Sequence, residues 1–458
     1  MWPTRIAVLC GAVFLGHCAS NPAPHAGSST GAPSASSAPN QSAAPTSTTP
    51  NPAAPQKIPE APKPKPPYNV LLITIDALRA DMPWAGYPRD IAPWLTKFAQ
   101  RSTLYPRAYS LSSYTAKSVV PMLCGKYPSE LKRDGYFFTR WYPENELVSE
   151  RAQAKGVRTL AGHAHGYFMP PYGLDQGFDD YRLLKGTFLD NTGVQDINSD
   201  RLNALAKEML SDPKNVDATG ERPFFAYFHF LDPHYRYVKH KESPDFGNGR
   251  RDLYDNEVHF TDRHVGDLVD WAQAQPWGQN LVVIITADHG EGFGERGHYR
   301  HAYEVWESLV RVPLFIHVPG AKPRRIESPR SAIDLAPTIA ELLSLSVEGY
   351  RGVSLVSEVF GAEAAARPVI VDLPRADLMD KRRAIIDGDY KLVVYGDNKG
   401  FQLFNVGDDY KETKELHVKE RDEFARMRAL DKKLWSELEV TPVVGGATLK
   451  GAPPGQRY

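Results

Sequence analysis

The stretch that decides the reading of this chain is Leu281-Val-Val-Ile-Ile-Thr-Ala-Asp288-His289-Gly290-Glu291, followed by Gly297-His298-Tyr299-Arg300-His301. A continuous apolar, β-branched run of this length predicts a strand buried on both faces. Asp288 and His289 then fall at its carboxyl end, the edge where open α/β sheets bind ligands. A carboxylate beside an imidazole is a divalent-metal ligand pair, and glycine allows close approach. A second run, Tyr68-Asn-Val-Leu-Leu-Ile-Thr-Ile75, ends in the same way at Asp76.

From Tyr68 onward strand-like runs alternate with helical patterns. Pro223 to His229 and Val312 to Val318 read as strands, and Leu253 to Ala272 has helical periodicity. The alternation predicts an α/β fold: a large, mostly parallel sheet flanked by helices. Later, Ala384-Ile-Ile, Tyr390 to Tyr395 and Phe401 to Phe404 predict a small antiparallel subdomain, about 365–440, closed by a helix from Lys419 to Leu438.

The catalytic domain is therefore expected over 68–440, with a flexible tail over 441–458. Residues 1–18 read as a signal: Arg5, a short apolar run, then Leu15-Gly-His17-Cys18. Cys18 stands where bacterial lipoproteins are lipidated, although His17 departs from the small residue usual before that Cys. Plain secretion or an uncleaved anchor is the competing reading. Residues 19–67 are rich in Ala, Pro, Ser and Thr and cannot bury a core. At about 3.1 Å per residue, such a linker reaches at most ~150 Å. Export to a bacterial envelope, with the membrane as a partner through a lipid anchor, is the expected location. Of the three cysteines, only Cys124 lies outside the signal and its cleavage site, so no disulfide is expected within the mature chain. With 458 residues, 24% charged and a net charge of -1, nothing in the composition argues for nucleic acid as a partner.

Four segments could meet at one sheet edge. The first is Asp76-Ala-Leu-Arg79-Ala-Asp81; the second is Ser112-Ser113-Tyr114-Thr115-Ala-Lys117-Ser118, opening a helix-like stretch that ends at Gly125. The third is His229-Phe-Leu-Asp232-Pro-His234, and the fourth joins Asp288-His289 to His301. Each has a plain structural alternative: a cap, a surface pair, a core histidine. Together they supply the parts for hydrolysis of an anionic phosphate or sulfate ester. A metal can activate a hydroxyl, and imidazoles and cations can offset charge and protonate the leaving oxygen. A hydroxyl at a helix N-terminus is suitably placed for such an attack.

In this order the segments resemble the sulfatase family of the alkaline-phosphatase superfamily, from Tyr68 to about Leu438. Gly173-Leu-Asp-Gln-Gly-Phe178, Tyr254 to Asp262 and Leu403 to Asp408 add weaker support. Sulfatases proper carry Cys or Ser followed by x-Pro-x-Arg at a nucleophile that becomes formylglycine. Here Thr115 takes the nucleophile position, Lys117 that of the Pro and Val119 that of the Arg, so no formylglycine is expected. The Thr looks instead like the nucleophile of phosphoethanolamine and phosphoglycerol transferases. That resemblance implies Asp76, Thr115, Asp288 and His289 as ligands of a divalent ion, Zn²⁺ preferred and Mn²⁺ or Ca²⁺ as alternatives. It implies His234 and His301 as catalytic contacts of the phosphate. His229, Lys117 and Arg79 are expected on the substrate side. The expected activity is transfer or hydrolysis of a phosphoester through Thr115. Sulfate-ester hydrolysis and a non-catalytic binding protein on the same fold are the alternatives.

Overall fold

β1 (Asn69–Ile75) is buried along its whole length, as the uninterrupted apolar sequence requires of a central strand. The structure, a computed structural model, describes residues 67–184, 199–217 and 222–445. The chain divides into two units, Met1–Pro59 and Glu60–Tyr458, and every described residue belongs to the second. The expected signal with Cys18, and the linker up to 66, lie outside the described residues.

β1 pairs in parallel with β5 (Phe224–Phe230) on one side and β6 (Leu281–Thr286) on the other. Beyond β5 come β3 (Arg158–His163) and β4 (Asp180–Leu183), both parallel. Beyond β6 lies β9 (Arg311–His317), the single antiparallel strand of this sheet among the described residues. β2 (Thr103–Tyr109) follows, flanked by the short β10 (Arg324–Arg325) and β11 (Arg330–Ser331). Pro106 sits where the β2–β9 register shifts, at a bulge that needs no N–H from it. The helices are α1 (Pro93–Ala99), α2 (Thr115–Cys124), α3 (Val148–Ala154), α4 (Ser199–Ser211), α5 (Arg250–Gln273), α6 (Glu307–Val310), α7 (Leu335–Leu342), α8 (Val356–Val359) and α9 (Arg421–Ser436). A two-stranded hairpin, β7 (Gly292–Phe293) and β8 (Tyr299–Arg300), leads from the Asp288 segment to His301.

A second sheet joins β12 (Val369–Leu373), β13 (Arg382–Asp387), β14 (Tyr390–Tyr395) and β15 (Gly400–Asn405) in antiparallel order. The alternation of strand side chains gives it two apolar faces. Val369, Val371, Ile386 and Val393 pack with Val305, Leu309 and Tyr114, whereas Ile370, Ile385, Leu392 and Leu403 pack with Met427 of α9. The expected tail does not begin at 441. The Thr441 and Val444 amides donate to the Ser129 and Arg133 carbonyls, and the Gly445 carbonyl accepts from the Gly135 amide. Backbone pairing fixes the chain as far as 445.

Candidate active site

Register brings the two carboxylates together. Thr74 of β1 pairs with Thr286 of β6, so Asp76 and Asp288 leave adjacent parallel strands at the same level. His289 Nε2 lies 3.3 Å from Asp76 Oδ1 and 3.4 Å from Asp288 Oδ2, and all three side chains are buried. His289 Nδ1 is 2.8 Å from the Gly290 carbonyl. A carbonyl only accepts, so the ring proton is on Nδ1 and the Nε2 lone pair faces the carboxylates. Asp76 Oδ1 and Asp288 Oδ2 are buried with no hydrogen-bond partner. Uncompensated carboxylate oxygens are costly, and a divalent cation would satisfy both. Asp76, His229 and Asp288 offer donor atoms within 4.8 Å of one another. Burial alone would raise the Asp76 carboxyl; His234, His229 and His289 outweigh it and hold the group well below the usual carboxylate range.

Thr115 is the first residue of α2, and the capping position is Tyr114, whose side chain makes no cap hydrogen bond. The Thr115 hydroxyl is therefore not consumed as a cap. Its Oγ1 lies 3.3 Å from Asp76 Oδ2 and 3.2 Å from His289 Nε2. The structure thus joins Thr115 to the Asp76–His289 pair at the positive end of a ten-residue helix. Cys124 closes that helix nine residues later, about 14 Å away by helical rise. Burial pushes its thiol pKa up, away from nucleophilic thiolate.

His229 takes a different position from the substrate side expected of it. Its Nε2 is 3.2 Å from Asp76 Oδ2, and its Nδ1 is 2.6 Å from Thr74 Oγ1 on the neighbouring strand. Parallel register puts Thr74 and His229 side by side, which fixes the imidazole against the carboxylates. His234 and His301 face each other across the site, ring centroids 4.9 Å apart, and His301 is 4.3 Å from the His289 ring. Burial lowers the His234 pKa. Burial acts on His301 in the same direction, but Glu291 outweighs it and the pKa is raised. Glu291 is fully buried, with Oε1 3.3 Å from His301 Nδ1 and Oε2 accepting from Tyr237 at 2.8 Å.

Two expected substrate contacts are turned elsewhere. The Arg79 guanidinium is held by both oxygens of Asp81 at 2.6 Å, by Glu295 at 2.8 Å and by the Glu291 carbonyl. Its donors are committed to neighbours, so it braces the hairpin. Lys117 lies about 200° around α2 from Thr115, on the far side of the helix. Its ammonium is fully buried and unpartnered, 5.6 Å from the Trp141 ring, with Arg133 and Asp372 among its charged neighbours. Two site groups were not singled out from sequence: Glu291, inside the deciding stretch, and His165. His165 lies 5.7 Å from His234, and burial depresses its pKa to about 3. Its signal was His163-Ala-His165 at the end of β3, another strand that reaches this edge.

Comparison with known proteins agrees with this architecture. The profile of the family described as Sulfatase matches residues 68–345. The chain is 26% identical to a choline-sulfatase of Rhizobium meliloti over 409 residues, 71% of this chain and 78% of that protein. It is 25% identical to an ulvan-active sulfatase of Formosa agariphila, covering 63% of this chain and 64% of that one. A putative sulfatase from Bacteroides thetaiotaomicron superposes with a TM-score of 0.69 at 17% identity, covering 82% and 93% of the two chains. The phosphonate monoester hydrolase of Agrobacterium radiobacter superposes at 0.66 and 16% identity, covering 81% and 95%. With an alkaline-phosphatase-like fold around paired strand-end carboxylates, and with the family profile spanning more than half its length, this chain belongs to the sulfatase family.

Proposed function

We propose that this chain hydrolyses or transfers a phosphoester group of an anionic substrate in the bacterial envelope, with Thr115 as the nucleophile. The observation that carries the reading is the Thr115 hydroxyl, uncapped and within 3.3 Å of both Asp76 and His289. Val119 stands where formylglycine sulfatases carry Arg, and a threonine cannot become formylglycine. Asp76, Asp288 and His289, with Thr115 or His229 as the fourth group, would hold the divalent ion. That oxygen-rich, partly imidazole donor set suits Zn²⁺, with Mn²⁺ as the runner-up. When bound, the ion would lower the Thr115 hydroxyl pKa and offset charge on the ester oxygens.

The remaining steps use the chain's own groups. Thr115, its hydroxyl proton already lost to solvent, attacks as the alkoxide: Oγ1 forms a bond to phosphorus while the bond to the leaving oxygen breaks. His301 gives that oxygen a proton from Nε2, while Glu291 holds the proton on Nδ1. The raised pKa of His301 and the lowered pKa of His234 support this division. Water or an alcohol then takes the phosphoryl group from Thr115 and returns a proton to His301. The signal-like residues 1–18, with Cys18 as the lipidation site, support export and anchoring. Among the described residues, no helix is long and apolar enough to cross a membrane.

The test is turnover of aryl phosphodiester, phosphomonoester and sulfate substrates by the metal-loaded protein, beside Thr115→Ala. We expect phosphoester turnover that falls at least about 10³-fold in the variant, with melting temperature and metal content nearly kept. Wild-type rates in Thr115→Ala would remove the mechanism. Sulfate turnover alone would favour the second reading, sulfate-ester hydrolysis, which the activities named for the relatives support.

A further inference from the structure

We infer that three arginines at the rim of the His234–His301 pair, Arg236, Arg250 and Arg300, bind a second oxyanion carried by the organic part of the ester. The inference deepens the proposed function and rests on its placing of the reaction beside His301. Arg300 directly precedes His301, and its guanidinium lies over the Tyr235 ring, 3.9 Å from the centroid. Tyr235 in turn follows His234, and Arg236 is the next residue. Arg250 lies 5.1 Å from the ring of Tyr299, the residue before Arg300. The segments that carry His301 and His234 therefore bring arginines to one margin of the site. All three are exposed, and among the described residues none of their guanidinium groups has a carboxylate or hydrogen-bond partner.

Acids do lie nearby, but they are committed to other groups. Glu295 of the same hairpin is taken by Arg79, Glu291 by Tyr237 and His301, and Asp252, two residues from Arg250, by Arg89. Two of the arginines are also held at a cost. Arg300 has φ 67°, in the left-handed region that non-glycine residues disfavour. Strain retained beside reacting groups points to function. Arg250 is the first residue of α5, at the end where a helix favours anions over cations. A guanidinium kept there adds its charge to the pull of the helix end on an anion.

The donors select the ligand chemistry. A guanidinium lying on a ring keeps its N–H edge free, and that edge matches a carboxylate, phosphate or sulfate through two parallel bonds. Clustered positive charge also draws polyanions from a distance. Arg79 and Lys117 are turned away from the reacting group, so the unpaired cations stand outside it, on the path of a group departing beside His301. The substrate is then an ester with two negative groups, one at Thr115 and one on its organic part.

Calorimetric titration of the metal-loaded full chain with propylphosphonate, phosphonobutyrate and propylene bisphosphonate tests this without turnover. The two compounds with a second anionic end should bind about ten-fold or more tightly than propylphosphonate, the worth of one charge-assisted hydrogen bond. Arg300→Gly should remove most of that margin, and Arg236→Gln and Arg250→Gln a smaller share each. Glycine suits a φ of 67°, so Arg300→Gly should keep or raise the melting temperature while it loses the margin. Equal affinity for the three compounds, including no measurable binding, would overturn the inference, as would a margin that survives Arg300→Gly. So would arginine-dependent binding to phosphatidylglycerol vesicles with no margin among the phosphonates, which would assign the patch to a membrane surface. An arginine-dependent margin found together with wild-type turnover in Thr115→Ala would remove the proposed mechanism and leave the rim standing.

Discussion

Glu291 decides what His301 can do. A carboxylate on Nδ1 fixes the tautomer, aims Nε2 into the site and favours the protonated ring. Glu291→Gln should lower turnover about 10- to 100-fold for esters with poor leaving groups and far less for nitrophenyl esters, which depart without a proton. A leaving-group series on both proteins reads the difference. Equal loss across the series would assign Glu291 a structural role only. Lys117 shows the opposite economy, a buried ammonium with no partner. Burial depresses its pKa to about 7 from 10.5. A depressed folded-state pKa contributes stability above pH 10.5 that is lost as pH falls, and the loss is complete below about 7. Each unit is worth about 1.4 kcal/mol, so Lys117→Met should stabilise the fold by a few kcal/mol at pH 6, with the gain shrinking towards pH 10. Denaturant unfolding at several pH values measures it.

At the scale of elements, the turn after β6 is the tightest constraint. A Cβ on Gly290 would meet the Ser308 carbonyl oxygen at 2.2 Å, and the Gly290 amide donates to the Leu309 carbonyl at 2.8 Å. The opposing atom is backbone, so the turn or α6 must move. Gly290→Ala should cost about 1–3 kcal/mol and displace His289, lowering metal content and activity together. Thermal melts and metal analysis follow it. Gly400→Ala is the control, since its φ is not in the left-handed region and its Cβ would make only ordinary contact with the Tyr395 side chain, at 3.6 Å or more. α2 combines similar local rules: Thr115 opens it free of capping, Pro121 lies inside it, and Gly125 ends it at φ 59°.

At the scale of the whole molecule, the small sheet is locked to the large one by charge as well as by apolar contact. Lys391 of β14 lies 3.0 Å from Glu307 and 3.0 Å from Glu412, all three buried. Burial, reinforced by Glu307, raises the Glu412 pKa to about 7 even with Lys391 beside it. Lys391→Met would strand two carboxylates and should cost about 3–5 kcal/mol. A raised acid pKa contributes stability at low pH that is lost as pH rises through it. The loss in the variant should therefore be larger at pH 8.5 than at pH 5.5, as paired denaturant unfolding would show. The sequence by itself determined the strand-end positions of Asp76 and Asp288, a helix-like stretch after the Ser and Thr residues around Thr115 that ends at Gly125, and the small antiparallel sheet. Those follow from local periodicity, turn residues and unbroken apolar runs, which act over a few residues. Only the tertiary structure decided the roles of the long polar side chains. Arg79 turned to Asp81 and Glu295, Lys117 to the far side of α2, His229 to Asp76, and Glu291 and His165 into the site. The destination of a buried charge is set by which partner lies within hydrogen-bond reach once strands distant in sequence pair, and no local pattern carries that distance.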